Sequence, residues 1–161
     1  MFGLISFRGM PKNYQQIDNT VSRSAQPEKE DFSWLKEQGV TDVVNFRTMG
    51  KSGLDYDERT VVEKDGMTYH NIKSITRHPT DKNVGQFLDV VEGVKQKGGK
   101  VHIHCKAGAD RTGMYSYIYE RINNLKDETS GKQEWFNRGY HFNIYPKLMD
   151  WADKFLQRHK K

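Results

Sequence analysis

His104-Cys105-Lys106-Ala107-Gly108-Ala109-Asp110-Arg111-Thr112-Gly113 places the single cysteine of this 161-residue chain five residues ahead of an arginine. A lone cysteine is most simply a small buried apolar side chain. Its neighbours point to a nucleophile instead. Phosphoryl transfer to sulfur needs a thiolate, and a free thiol with a pKa of about 8.5 is only about 3% ionised at pH 7. Thiolates beside arginine at a helix N-terminus ionise far more readily, at roughly pH 3.5–7.5. Arg111 offers a planar fork for two phosphate oxygens, which a lysine could not. Gly108 permits φ > 0, so that the backbone amides of Lys106, Ala107, Gly108 and Ala109 can close on an anion. Thr112 can donate to the sulfur and stabilise it as a leaving group, while His104 can hold the loop through its carbonyls. With this chain's own residue frequencies, His, Gly, Arg, Ser/Thr and Gly at these offsets meet by chance about once in a million, so the pattern is not accidental.

The surrounding elements must present that loop. Val101–His104 alternates as a strand and runs into a seven-residue loop, with a helix expected at once from Thr112 and continuing over Met114–Leu125. Ligands bind at the C-terminal ends of such strands, and a helix dipole behind the loop favours an anion. Upstream, a helix is expected over Pro27–Gln38, ended by Gly39, and a strand over Val40–Phe46. A helix over Tyr56–Asp65 stops at Gly66, and Met67–Ile72 forms a weaker strand. Thr80 caps a long helix whose Val84, Phe87, Leu88, Val91 and Val94 share one face before Gly98-Gly99 end it. Gln133–Asn137 and Tyr145–Gln157 close the chain. Strands alternating with helices predict an α/β fold, a central, mostly parallel sheet flanked by helices. With no repeat or linker, residues 1–161 read as one domain.

Composition narrows the partners. The net charge of +5 would suit nucleic acid, a membrane surface or a phosphorylated ligand. Zinc-finger spacing and a dense Lys/Arg stripe are both missing, and Arg158-His159-Lys160-Lys161 reads as a solvated helix end, so nucleic acid is not the expected partner. A small anionic substrate is. The eight Phe, eight Tyr and three Trp residues mark a globular chain. No apolar run approaches the roughly 18 residues of a membrane span, and Met1–Phe7 is too short for a leader. The chain reads as soluble, cytoplasmic as given, or exported if a leader has been removed. Neither a metal nor another cofactor is expected, because ligand-spaced clusters are missing and the loop itself supplies positive charge.

The Cys-x5-Arg-Thr segment resembles the signature of the cysteine-dependent protein-tyrosine and dual-specificity phosphatase superfamily. Arg23-Ser24-Ala25-Gln26-Pro27 and Gly39 through Val43-Val44-Asn45-Phe46-Arg47 are similar to the opening segments of the dual-specificity members. The resemblance covers about residues 14–125, the implied catalytic core, with C-terminal helices over 129–159, and it implies the small dual-specificity fold. His78-Pro79-Thr80-Asp81 through Leu88, with His102-Ile103-His104-Cys105, is similar to the tyrosine-phosphatase-like phytases. Lys106 also resembles the loop lysine of inositol phosphatases. The implied reaction is phosphomonoester hydrolysis through a cysteinyl phosphate, on inositol polyphosphates such as phytate. A protein-tyrosine or dual-specificity phosphatase is the alternative. A catalytically weak phosphate-binding module and a rhodanese-like sulfurtransferase are further readings. Rhodanese loops are typically one residue shorter.

The resemblance fails at the general acid: Ile75 stands where the family carries Asp. Asp110, in the position of the myotubularin loop acid, is the first substitute, Asp81 the alternative and His78 a third. Arg77 and His78 would overhang the pocket, as would Lys106, and Arg23 and Arg47 would brace the loop. Tyr140, His141, Tyr145 and Lys147 lie where the phytases carry a substrate-binding helix, although helix packing accounts for most of them. Lys12-Asn13-Tyr14 faintly resembles the loop that deepens tyrosine-specific pockets, but it is discounted for its place near the terminus.

Overall fold

Val43 and Val44 are neighbours in sequence and both fully buried, yet they belong to different hydrophobic cores. Only a strand covered on both faces does this, because successive side chains alternate. The computed structural model describes residues 9–48 and 53–160, so residues 1–8, 49–52 and 161 lie outside the described residues. The strand is β3 (Asp42–Asn45), in a sheet with β1 (Gln15–Gln16), β2 (Val21–Ser24), β4 (Thr68–Asn71) and β5 (Val101–His104). The spatial order is β1-β2-β5-β3-β4. All neighbours are parallel except β1, which pairs antiparallel with β2 at one edge.

Helices cover both faces. Phe32 and Leu35 of α1 (Asp31–Glu37) and Val62 of α2 (Glu58–Lys64) meet Val43 in one core. The larger core, around Val44, Phe46 and Ile103, is filled from α3 (Asp81–Gln96), α4 (Arg111–Ile122), α5 (Glu128–Asn137) and α6 (Leu148–Arg158). There Phe46 stacks on Tyr115 with ring centroids 3.9 Å apart, and Phe87 meets both rings edge-on. This is the expected α/β architecture, a mostly parallel sheet between helices.

Most element boundaries follow local chemistry. Thr80 accepts a bond from Asn83 N at 3.1 Å and starts α3, whose Val84, Phe87, Val91 and Val94 are buried. Asp127 caps α5 through Ser130 N, so that helix begins at Glu128 rather than Gln133. Helix α1 begins four residues later than Pro27, because Glu28 N donates to the Asp31 carboxylate and forms a turn first. Helix α4 starts at Arg111, one residue before Thr112, which leaves Cys105–Asp110 as the loop. Sequence reading missed β2. It lies between two strands, where continuous apolar residues are the rule, but its sequence is Val-Ser-Arg-Ser, buried throughout.

Those polar residues are satisfied internally. Ser22 Oγ lies 2.8 Å from His102 Nδ1, and Ser24 Oγ lies 2.7 Å from His102 Nε2. Ser24 donates its own hydrogen to Ala25 O, so it accepts from His102 Nε2–H, and Ser22 donates to Nδ1. That pattern is the neutral imidazole. Burial holds its pKa well below the ordinary 6.5, with the charge of His104 adding to the effect.

Candidate active site

Strands β2, β3, β4 and β5 all point their C-terminal ends the same way, and the Cys105–Asp110 loop leaves from β5 at that end. Its carbonyls are all turned away from the centre. Cys105 O lies 3.2 Å from His104 Nδ1, and Lys106 O accepts from Gln26 N at 2.9 Å. Ala107 O accepts from Asn13 Nδ2, Gly108 O from Arg23 Nη2 at 2.8 Å, and Ala109 O from Trp135 Nε1 at 3.0 Å. Among the described residues, no hydrogen bond is donated by the amides of Lys106 through Asp110. A ring of unpartnered N–H groups ahead of a helix N-terminus is an anion cradle.

Two glycines make this geometry possible. Gly108 has φ +71°, and a Cβ there would stand 2.5 Å from Ala25 N and 2.6 Å from Ser24 O, both backbone atoms of the neighbouring segment. At Gly113 a Cβ would meet Trp135 Nε1 at 2.2 Å, the atom that donates to Ala109 O. The glycine therefore lets α5 approach α4 closely enough to reach the loop.

Cys105 Sγ belongs to a side chain that is 2% exposed. Thr112 is fully buried and its Oγ1 has no hydrogen-bond partner, so the expected bond from this hydroxyl to the sulfur is not formed. Arg111 Nη1 lies 3.5 Å from Phe46 O and 3.4 Å from Ser74 O, long contacts at the ends of β3 and β4.

Behind the loop, His104 Nε2 lies 2.6 Å from Glu58 Oε2, both side chains being buried. Glu58 Oε1 accepts from Gln26, whose Oε1 accepts from Arg47 Nη1 at 2.9 Å. Arg47 thus reaches the loop through Gln26. Burial raises the Glu58 pKa, but the His104 charge and hydrogen bonds more than offset it, leaving the carboxyl below its ordinary range. Arg23 is 1% exposed, and burial lowers its pKa to about 10, so it stays cationic beneath Gly108 at neutral pH.

Two carboxylates were candidates for the acid, and they have different neighbours. Asp110 Oδ1 accepts from His141 N and its Oδ2 lies 2.8 Å from His141 Nδ1. Asp81 is exposed at the start of α3, where Arg158 grips both of its oxygens at 2.8 and 3.1 Å and His159 adds a third contact. Those hydrogen bonds hold its pKa below the usual value. Lys106, Arg77 and His78 are exposed, and Arg77 donates to Ile144 O while covering the Tyr145 ring.

Several residues of the site were not read as such from the sequence. Asn13, set aside as too near the terminus, has φ 57° and donates to Arg138 O as well as to the loop. Gln26, Glu58 and Trp135 are linked to the loop only through tertiary contacts. Glu58 had one available signal: a histidine at the end of a buried strand requires a partner. His141 was noted only through the resemblance to the phytase substrate helix, and nothing local links it to a loop 31 residues away.

Comparison with known proteins agrees with this geometry. No curated protein matches the chain. The DUF442 phosphatase-like protein of Shewanella putrefaciens CN-32 superposes with a TM-score of 0.79 at 23% identity, over 97% of this chain and 100% of that one. TpbA of P. aeruginosa gives 0.73 at 19%, over 93% and 92%. The catalytic core of the PP-IP phosphatase SIW14 from S. cerevisiae gives 0.75 at 15%, over 90% and 86%. Identities this low establish the shared fold. Residues 7–139, from ahead of β1 to just past α5, match the family described as DSP-PTPase phosphatase fused to NAD+ kinase. That span holds the whole loop and every group bonded to its carbonyls, and the chain accordingly belongs to this family of cysteine-dependent phosphatases.

Proposed function

We propose that Cys105 hydrolyses phosphomonoesters through a cysteinyl phosphate, and that inositol polyphosphates such as phytate are its substrates. The observation that carries this reading is the loop that follows Cys105, with its carbonyls bonded to surrounding groups and its amides unpartnered. A phosphate seated there receives the amides, and Arg111 exchanges its long carbonyl contacts for two phosphate oxygens. Cys105 Sγ attacks phosphorus, the S–P bond forms as the P–O bond to the alcohol breaks, and the departing oxygen takes a proton. Water then attacks phosphorus, the P–S bond breaks, and the water's proton returns to the acid. In this reading the Thr112 hydroxyl, unpartnered beforehand, donates to the departing sulfur. Asp110 is the acid in this reading, because Asp81 is gripped by Arg158 and His159.

The whole chain acts as one phosphatase domain, since Trp135 from the C-terminal helices holds the loop. Lys106, Arg77 and His78 favour a substrate with several phosphates, and the similar yeast protein is described as a PP-IP phosphatase. The protein-tyrosine alternative has its own support, because TpbA was crystallised with pTyr. Turnover of phytate against a phosphotyrosine peptide decides between them. A higher kcat/KM on phytate is expected, and a higher value on the peptide replaces the inositol reading.

A further inference from the structure

Among the described residues, six large apolar side chains are strongly exposed, and four of them, Ile75, Phe136, Phe142 and Ile144, are 45–56% exposed on segments whose neighbouring residues bond to the catalytic loop. Their placement follows from contacts already given. Ile75 adjoins Ser74, whose carbonyl receives Arg111. Ile144 O receives Arg77, and Ile144 N donates to the carbonyl of His141, the partner of Asp110. The Phe142 ring lies 6.2 Å from that of Phe136.

Charge on this rim is one-sided. Asp110 is paired with His141, and Asp81 with Arg158 and His159. The exposed Lys73, Arg77, Lys106 and Lys147 join no ion pair among the described residues. A cavity of about 390 Å³, lined by Arg77, Pro79, Tyr145, Pro146, Leu148 and Trp151 among others, continues the same surface. Exposed apolar side chains interleaved with cations that join no ion pair fit an anionic lipid surface, which attracts juxtaposed Lys and Arg and takes apolar side chains into the headgroup layer.

We propose that this rim docks on an anionic membrane, where the site takes its phosphomonoester from a lipid headgroup; the inference rests on the reading of Cys105 given above. Phe142 and Ile144 enter the headgroup layer, the lysines and Arg77 meet lipid phosphates, and the cavity receives the apolar part of the lipid next to the headgroup.

The test uses the full chain with phosphatidylcholine vesicles, with and without phosphatidylserine. Cosedimentation is expected only with phosphatidylserine and should weaken as salt is raised. The double variant Phe142→Ser/Ile144→Ser should lose at least about tenfold in binding and in hydrolysis of vesicle-borne phosphatidylinositol phosphate. Its turnover of soluble p-nitrophenyl phosphate should stay within about twofold of the parent. Should the double variant misfold, Phe136→Ser and Ile75→Ser are read in the same binding assay, with the same loss expected. Vesicles ignored by the parent chain, or bound equally well by the variants, overturn the proposal and leave the rim to a protein partner. Loss of p-nitrophenyl phosphate turnover in the parent would instead strike the Cys105 reading, so the two failures are distinct.

Discussion

Asp110 and His141 hold one proton problem between them. Asp110 Oδ1 accepts from His141 N, and a single hydrogen lies between Oδ2 and the ring Nδ1 2.8 Å away, so a proton on the carboxyl is given up from that contact. The pair should matter most where the leaving group is a poor one. Asp110→Asn is predicted to lower kcat on an inositol phosphate by about 10²–10⁴-fold, the usual worth of general-acid help, and to act weakly on an aryl phosphate. Asp81→Asn should be mild on both, and the opposite pattern would transfer the role to Asp81. Vanadate affinity must be intact in the Asn form before its rates are read. Cys105→Ser tests the nucleophile itself. It should retain less than about 1% of turnover while still binding vanadate, because the oxygen is a poorer nucleophile of nearly the same volume. Higher residual activity would end the case for a cysteinyl phosphate.

At the scale of elements, the loop is only as good as the strand beneath it. Gly108→Ala would press a methyl group into the backbone of Ser24 and Ala25 at a positive φ. The predicted cost is about 1–3 kcal/mol, measured by urea denaturation, together with weaker vanadate binding as the loop lifts from Arg23. A variant of parental stability and affinity would show that the close approach is unimportant. This strand was also the least legible element. Strand β5 and helix α3 were readable because their apolar periods are local, and the Cys105–Arg111 motif because its chemistry is contiguous. Strand β2 is polar, and its burial is intelligible only once His102 is seen bonding Ser22 and Ser24 from the adjacent strand. The same holds for Glu58, Trp135 and His141: each acts through a contact distant in sequence, and a local pattern does not encode it.

For the molecule as a whole, His102 sets a pH dependence. Its pKa is lowered in the fold, so below the ordinary 6.5 the unfolded chain takes up a proton that the native one refuses. Stability from this group is complete above that pH and is lost as pH falls, at about 1.4 kcal/mol per unit until the folded pKa is reached. Glu58 and Asp42, with lowered pKa values, begin to cost stability only at the lower pH where unfolded carboxylates protonate. Denaturation series from pH 7.5 to about 5 should therefore show a decline beginning near 6.5. A flat profile over that range would contradict a buried neutral His102. The outward-facing carbonyls have a consequence in time as well as in space. Asn13 and Arg23 reach the loop across 94 and 85 residues, and Trp135 reaches it from 26 residues further on. A nascent chain that has released Cys105 but not Trp135 lacks one of the loop's fixing bonds, so the phosphate cradle is completed only late in synthesis.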